Sequence, residues 1–311
     1  MRGEDFSERL VAGLNSVFGA HRGFRAAHAK GLCCAGTFTA TAEAAKLTRA
    51  AHMAGQVVPV TVRFSNASGD PTAPDVMGGG GGMAVKFQLA DGESTDLLTI
   101  TAPIFPSRTP EDFLQLTQAL TPDPTTHQPD RTKIDAFAAA HPELRAALMV
   151  ALTARPLASF AQAVYHAVHA FRFVNAAGYE HFVRYSWRPE PGTARIYLDE
   201  AQRIPPDYLQ RELGERLAAG PVRFSLHLQL ADKGDDVNDP ATAWPQDRSS
   251  VFAGTLELTA LASDQKGGCE ALVFDPTRVT DGIAVSDDPI LNARPGAYSV
   301  SFHRRMSSKT V

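Results

Sequence analysis

Alternation with period two recurs along most of this chain, and it limits the fold more than any other feature. Gly36 to Thr41 (GTFTAT), Pro59 to Ser65 (PVTVRFS), the MAVKFQL that follows the glycine run Gly78 to Gly82, and Asp96 to Phe105 all read as strands. So do FRFVNAAGYEHFVRYSW from Phe171, Arg223 to Leu230, and Gly254 to Leu258. Successive strand side chains point to opposite faces. In PVTVRFS, Val60, Val62 and Phe64 therefore share one face, and Thr61, Arg63 and Ser65 the other, which on its own reads as a solvated edge. Asn175 to Gly178 is placed as a hairpin turn. From Asp130 to His169 the pattern is helical and alanine-rich, punctuated by Pro142 and Pro156. Strands on both sides of a helical insertion, with no repeat and no linker, indicate one α+β domain over 1–311, the insertion covering about 110–170.

Shorter helices are expected over 4–20, where Phe6, Leu10, Leu14 and Phe18 recur at helical spacing, and over 43–54. Another is expected from Thr109, with Pro110 at its first position and acids in its first turn. The glycine run lacks the following Gly-Lys-Ser/Thr of a phosphate cradle and reads as a flexible loop. A net charge of −4 and pI near 6.2 exclude an electrostatic footprint for nucleic acid. An acidic N-terminus argues against a secretory leader, and no apolar run is long enough for a membrane span. Cys33 and Cys34 are adjacent, the three cysteines make an odd count, and no Cys or His lies at metal-ligand spacing. Three free thiols in a reduced, cytoplasmic protein are the expectation.

The chemistry concentrates near the C-terminus, in SDDPILNARPGAYSVSFHRR from Ser286 to Arg305. Pro289 suits a helix start, and Arg294 and Tyr298 then stand one above the other at i, i+4, with Arg305 returning to that side. A guanidinium beside a phenol favours the phenolate, a hard anionic ligand that suits ferric iron. A tyrosine merely stacked on an arginine would give the same spacing. Pro295 inside this helix predicts a kink or restart, at a cost of about 3 kcal/mol.

Taken in order, several segments resemble the haem catalase family. RAAHAKG resembles the family's distal-histidine segment, and PVTVRFS and GGMAVKF resemble the two that follow. PIF with Arg108 to Phe113 resembles the distal phenylalanine segment, and HAFRFVNAAG the hairpin after it. FDPTRVTDGIAVSDDPILNARPGAY resembles the proximal segment that ends in the iron-ligating tyrosine. The resemblance runs from about Arg22 to Arg305 and implies an antiparallel β-barrel of about eight strands, with helices packed around it and haem between. The long N-terminal arm and the C-terminal domain of full-length catalases have no counterpart, so the small catalase-related peroxidases are the branch implied.

The resemblance also implies roles. Tyr298 is expected to ligate the iron of haem b, with Arg294 keeping it ionised, and His28 to be the distal acid and base, oriented by Ser65. Arg25, Arg63 and Arg305 are expected to hold the haem propionates, and Phe113 to line the peroxide side. The implied reaction takes a peroxide and a small organic electron donor, in a homo-oligomer, dimer or tetramer, without membrane or nucleic acid. The distal asparagine of catalases falls here on Ile100 or Thr101, which implies peroxidase over catalase activity. Two rival readings are a fatty-acid hydroperoxide isomerase of the allene oxide synthase type, which shares this barrel, and a non-catalytic haem- or lipid-binding barrel. The unaltered RAAHAKG segment argues against the first, and the pairing of His28 with Ser65 against the second.

Overall fold

A computed structural model describes residues 5–77, 79–201 and 203–307. Its strands are β1 (Gly31–Ala40), β2 (Val57–Asn66), β3 (Gly81–Gln88), β4 (Ser94–Ile100), β5 (Tyr165–His166), β6 (Phe171–Val174), β7 (Glu180–Pro189), β8 (Val222–Leu230), β9 (Ser250–Leu261) and β10 (Ile283–Val285). All pair antiparallel, in the order β10-β6-β7-β5-β4-β3-β2-β1-β9-β8. A further β7–β8 pairing, from Val183 opposite Leu230 to Pro189 opposite Phe224, joins the ends. The ring from β7 round to β8 is thus a closed eight-stranded barrel, and β6 and β10 extend from it as a flap.

The barrel interior is packed solid, as expected for a barrel of this size. Phe38, Phe64, Phe87, Tyr165, Trp187 and Phe224 fill it, with Phe38 edge-on to both Phe87 (5.3 Å between centroids) and Trp187 (5.9 Å). Such pairs add about 1 kcal/mol each to the burial of their area. A ligand the size of haem must therefore lie outside the barrel wall. The strand parity prepares that wall. Along β2, Val60, Val62 and Phe64 enter the core, while Arg63 and Ser65 line a cavity on the outer side. The face that reads as a solvated edge is buried beneath helices, with Arg63 and Ser65 each only 4% exposed.

The helices are α1 (Phe6–Phe18), α2 (Ala42–Leu47), α3 (Pro110–Leu120), α4 (Arg131–Ala140), α5 (Arg145–Leu152), α6 (Leu198–Ala201), α7 (Tyr208–Ala219) and α8 (Pro289–Ser307). Thr109 caps α3 in a full capping box with Asp112, as its sequence predicts. The helical reading of the insertion holds only to Leu152. Beyond it the chain is mostly irregular and reaches β5, which the alanine-rich composition hides. Gly81 and Gly82 belong to β3 rather than to a loop. The 43–54 segment is a short helix followed by one 3-10 turn, because Thr48 leaves the helical region.

Helix α8 continues through Pro295 without a break. The packing on both sides of the proline outweighs its missing N–H: Ile290 and Leu291 are buried, and Gly296 lies against α1 so closely that a Cβ there would meet Ser7 Oγ at 2.3 Å.

The three-thiol expectation is corrected. Cys33 on β1 forms a disulfide with Cys269, and only Cys34 remains free, buried, its thiol pushed up to about 12 by burial. The two residues are 236 apart, a pairing that sequence spacing cannot reveal. Closing so large a loop restricts the unfolded chain by about 5 kcal/mol at most. Denatured without reductant, the protein is expected to show one thiol reactive to Ellman's reagent, and three only after reduction. The double variant Cys33→Ser/Cys269→Ser is expected to melt at lower temperature, and three reactive thiols before reduction would contradict the bond.

Candidate active site

The cavity outside the barrel has a volume of about 310 Å³ and is walled by β2, β3 and β4 on one side and by α1, α3 and α8 on the other. Its lining is largely apolar, including Leu10, Val11, Leu98, Phe113 and Phe274. The eight residues singled out from sequence all reach it: Arg25, His28, Arg63, Ser65, Phe113, Arg294, Tyr298 and Arg305. They come from segments far apart in the chain and fall into three groups.

On the α8 side, Arg294 donates to Tyr298 Oη from Nε at 2.9 Å and again from Nη2. Arg294 Nη1 lies 2.9 Å from Nε2 of His169, and Nδ1 of His169 lies 2.6 Å from Asp288 Oδ2. A guanidinium can only donate. Nε2 of His169 must therefore accept, so Nδ1 carries the proton and donates to the carboxylate. Burial, opposed by the Asp288 hydrogen bond and reinforced by Arg294, lowers the His169 pKa and favours that neutral ring. Asp288 also receives the N–H groups of Ile290 and Leu291 and so caps α8. One carboxylate thus fixes both the start of the helix and the line Asp288–His169–Arg294–Tyr298. No role for His169 follows from the sequence, although HAFRF contains it. Its signal is positional only, since β6 begins two residues later.

On the barrel side, His28 Nδ1 lies 3.0 Å from Ser65 Oγ. His28 has φ 55°, a left-handed conformation uncommon for a residue with a side chain. Such strain is typically held at functional positions. Gly82 permits the approach, because a Cβ there would meet His28 Nδ1 at 2.9 Å and Ser65 Oγ at 3.1 Å. Burial lowers the His28 pKa to about 4, with Arg63, Arg294 and Arg25 adding to the effect and the Asn66 backbone opposing it. The ring is neutral at physiological pH and able to accept a proton. Phe113, on α3, lies tilted against Phe105, 5.5 Å between centroids, and both rings line the cavity.

At the rim, Arg25, Arg63 and Arg305 converge. Arg25 and Arg63 share the carboxylate of Glu270, the latter at 3.4 Å, and Arg25 also donates to Leu272 O at 2.9 Å. Glu270 joins this cluster with no signal in the sequence. It follows Cys269, so the disulfide holds it beside β1, and Gln265 clasps the same strand through Cys33 N and O at 2.8 and 2.7 Å. Burial, then the neighbouring Arg25, pulls Arg63 down to about 9 and Arg305 to about 10. Nε of Arg63 is buried without a partner among the described residues.

The donor set fits haem: a phenol oxygen on one side, an imidazole on the other, an apolar slot between, and crowded guanidiniums at one edge that two carboxylates would relieve. Among the residues described as lining the cavity there is no asparagine or glutamine. Ile100 faces in, while Thr101 Oγ1 is engaged 3.0 Å from Gly81 N.

Comparison with known proteins gives the family and the fold. The catalase family model matches residues 23–310. A catalase-related peroxidase of Mycolicibacterium paratuberculosis is 41% identical over 96% of this chain and 94% of its own length. One of Synechococcus elongatus is 35% identical over 96% of this chain and 88% of its own. Catalase-2 of Bacillus subtilis is 31% identical, but the match covers 43% of it. The crystal structure of a fungal catalase superposes with a TM-score of 0.84 at 22% identity, over 93% of this chain and 61% of that one. Catalase A of Saccharomyces cerevisiae gives the same score over 62% of its chain. The shared barrel, the matched segments and the near full-length relatives lead to one conclusion: this chain belongs to the catalase family.

Proposed function

We propose that this protein is a haem b peroxidase that uses hydrogen peroxide or organic hydroperoxides to oxidise small organic donors, with weak catalase activity. The observation that carries the reading is the His28–Ser65 pair facing the Arg294–Tyr298 pair across one apolar cavity. The near full-length relatives named catalase-related peroxidases support it. Residues 1–311 act in this reading as a single haem domain, self-associated as a dimer or tetramer. A cytoplasmic site of action loses its support from free thiols. It remains compatible with a disulfide, since two thiols and one hydrogen peroxide give a disulfide and two waters.

Tyr298 would bind the iron through Oη, and Arg25, Arg63 and Arg305 would hold the propionates. Bound haem would supply the redox chemistry that links the peroxide to the donor. The chain's own part is proton handling and positioning. With Nδ1 engaged by Ser65, His28 takes the proton of one peroxide oxygen at Nε2 and returns it to the other, so that the leaving oxygen departs as water. The low pKa keeps His28 ready as a base across the neutral range. The two donor groups of Arg294 on Tyr298 Oη stabilise negative charge on that oxygen. Apolar walls around His28 exclude competing water. The cavity lining offers no amide for a second peroxide to bind beside His28, which favours an organic donor.

Three outcomes are expected. The rate of reaction with peroxide should stay level from neutral pH downward and fall with a midpoint near 4, where His28 becomes protonated. A midpoint at the ordinary histidine value would contradict the buried, neutral ring. His28→Ala should lower that rate by roughly 100-fold or more with haem content unchanged. Ile100→Asn should raise oxygen release relative to phenol oxidation by roughly tenfold, the worth of one strong hydrogen bond. Vigorous oxygen release with negligible donor oxidation by the unmodified protein would overturn the peroxidase reading.

A further inference from the structure

A second cavity, of about 330 Å³, meets the first at His166. His166 on β5 lines both, and its ladder partner Ile100 lines the first cavity while the next residue, Thr101, lines the second. Their chemistry differs. The second cavity carries Arg155, Arg195, Thr101 and Thr193.

The two arginines are set by backbone, not by acids. Leu157 and Arg195 form an isolated antiparallel bridge, and Arg195 Nη1 donates to the carbonyl of Arg155 at 3.0 Å. The Arg155 guanidinium lies over the Tyr197 ring, 5.0 Å from its centroid. Among the described residues, no carboxylate makes an ion pair with either arginine. Arg195 is half-buried, and burial lowers its pKa, opposed by Tyr165 and reinforced by the like charge of Arg155. Two arginines lining one cavity with two threonines, and with no ion-paired carboxylate among the described residues, suit a small anion.

We infer that this cavity is the electron-donor site, and that the donor is a small aromatic or enolic reductant bearing a carboxylate. The inference deepens the peroxidase reading and rests on it. The carboxylate would pair with Arg155 and Arg195, and the oxidisable hydroxyl would point toward His166 and the wall of the haem cavity. For a donor AH2 the balance is AH2 + H2O2 → A + 2 H2O. One AH2, or two monophenols AH losing one electron and one proton each (2 AH + H2O2 → 2 A• + 2 H2O), supplies two electrons and two protons, the O–O bond breaks, and both oxygens leave as water. A cavity of its own for the donor would let a largely apolar haem cavity serve a charged reductant.

The probe pair is 4-hydroxybenzoate and its methyl ester, which share a phenol and differ in charge. In the haemin-loaded protein, kcat/KM should favour the acid. Arg155→Gln/Arg195→Gln should raise KM for the acid by roughly tenfold, the worth of a charge-assisted hydrogen bond, with a much smaller change for the ester. Calorimetric titration of 4-hydroxybenzoate should show binding that weakens equally in this variant and falls with added salt. Thr193→Glu, at an exposed position, should weaken the acid in the same way by adding a negative charge, which covers the case in which the arginine variant fails to fold. Equal changes for acid and ester, or no calorimetric binding while the ester is still oxidised, would overturn the site and leave the peroxidase reading intact. Oxidation of neither compound would overturn the peroxidase reading itself.

Discussion

The line from Asp288 through His169 and Arg294 to Tyr298 is the constraint on which the rest depends. A phenol is a poor ligand unless negative charge on its oxygen is stabilised, and a lone arginine on a helix surface would move. Here every nitrogen of the Arg294 guanidinium is engaged, with two donating to Tyr298 and the third to His169. The histidine can receive that donation only because Asp288 holds its proton on the far nitrogen. Asp288 in turn is fixed by the first turn of α8, the helix that carries Arg294 and Tyr298. The network is closed, so displacing any member disturbs the helix as well as the oxygen. That closure also accounts for a helix continuing through Pro295, where the local cost is offset by contacts on both sides.

The barrel supplies the opposite requirement, a rigid wall. Its interior is filled by aromatic rings, so the strands cannot yield inward, and side chains on the outward face of β2 are held in register. Arg63 and Ser65 are two residues apart and point the same way, one to the rim and one to His28. His28 itself lies just before β1 in a conformation that favours glycine, and Gly82 across the sheet makes room for its ring. A substitution at residue 82 would press on His28 and Ser65 without altering either side chain.

Much of this is legible in the sequence, for physical reasons. Strand alternation is local, so β2, β7 and β8 announce themselves, and the capping box at Thr109 is written in four consecutive residues. The Arg294–Tyr298 contact follows from helical spacing alone. What escapes depends on distance in the chain. The Cys33–Cys269 pairing, Glu270 among the arginines and His169 behind Arg294 all join residues more than a hundred positions apart. Two-residue β5 is too short for any period, and it sits in alanine-rich sequence that reads as helix. Alternation puts Arg63 and Ser65 on one face, but it does not reveal whether water or a helix covers that face.

The most direct test of the account is the absorption spectrum of the protein supplied with haemin, beside that of Tyr298→Phe. The unmodified protein is expected to take up haem and show a high-spin ferric spectrum. The variant, which keeps the ring and loses only the oxygen, is expected to lose the haem or change its spectrum markedly. A protein that stays colourless with haemin, or a variant whose spectrum matches the original, would contradict the claim that Tyr298 Oη is the ligand.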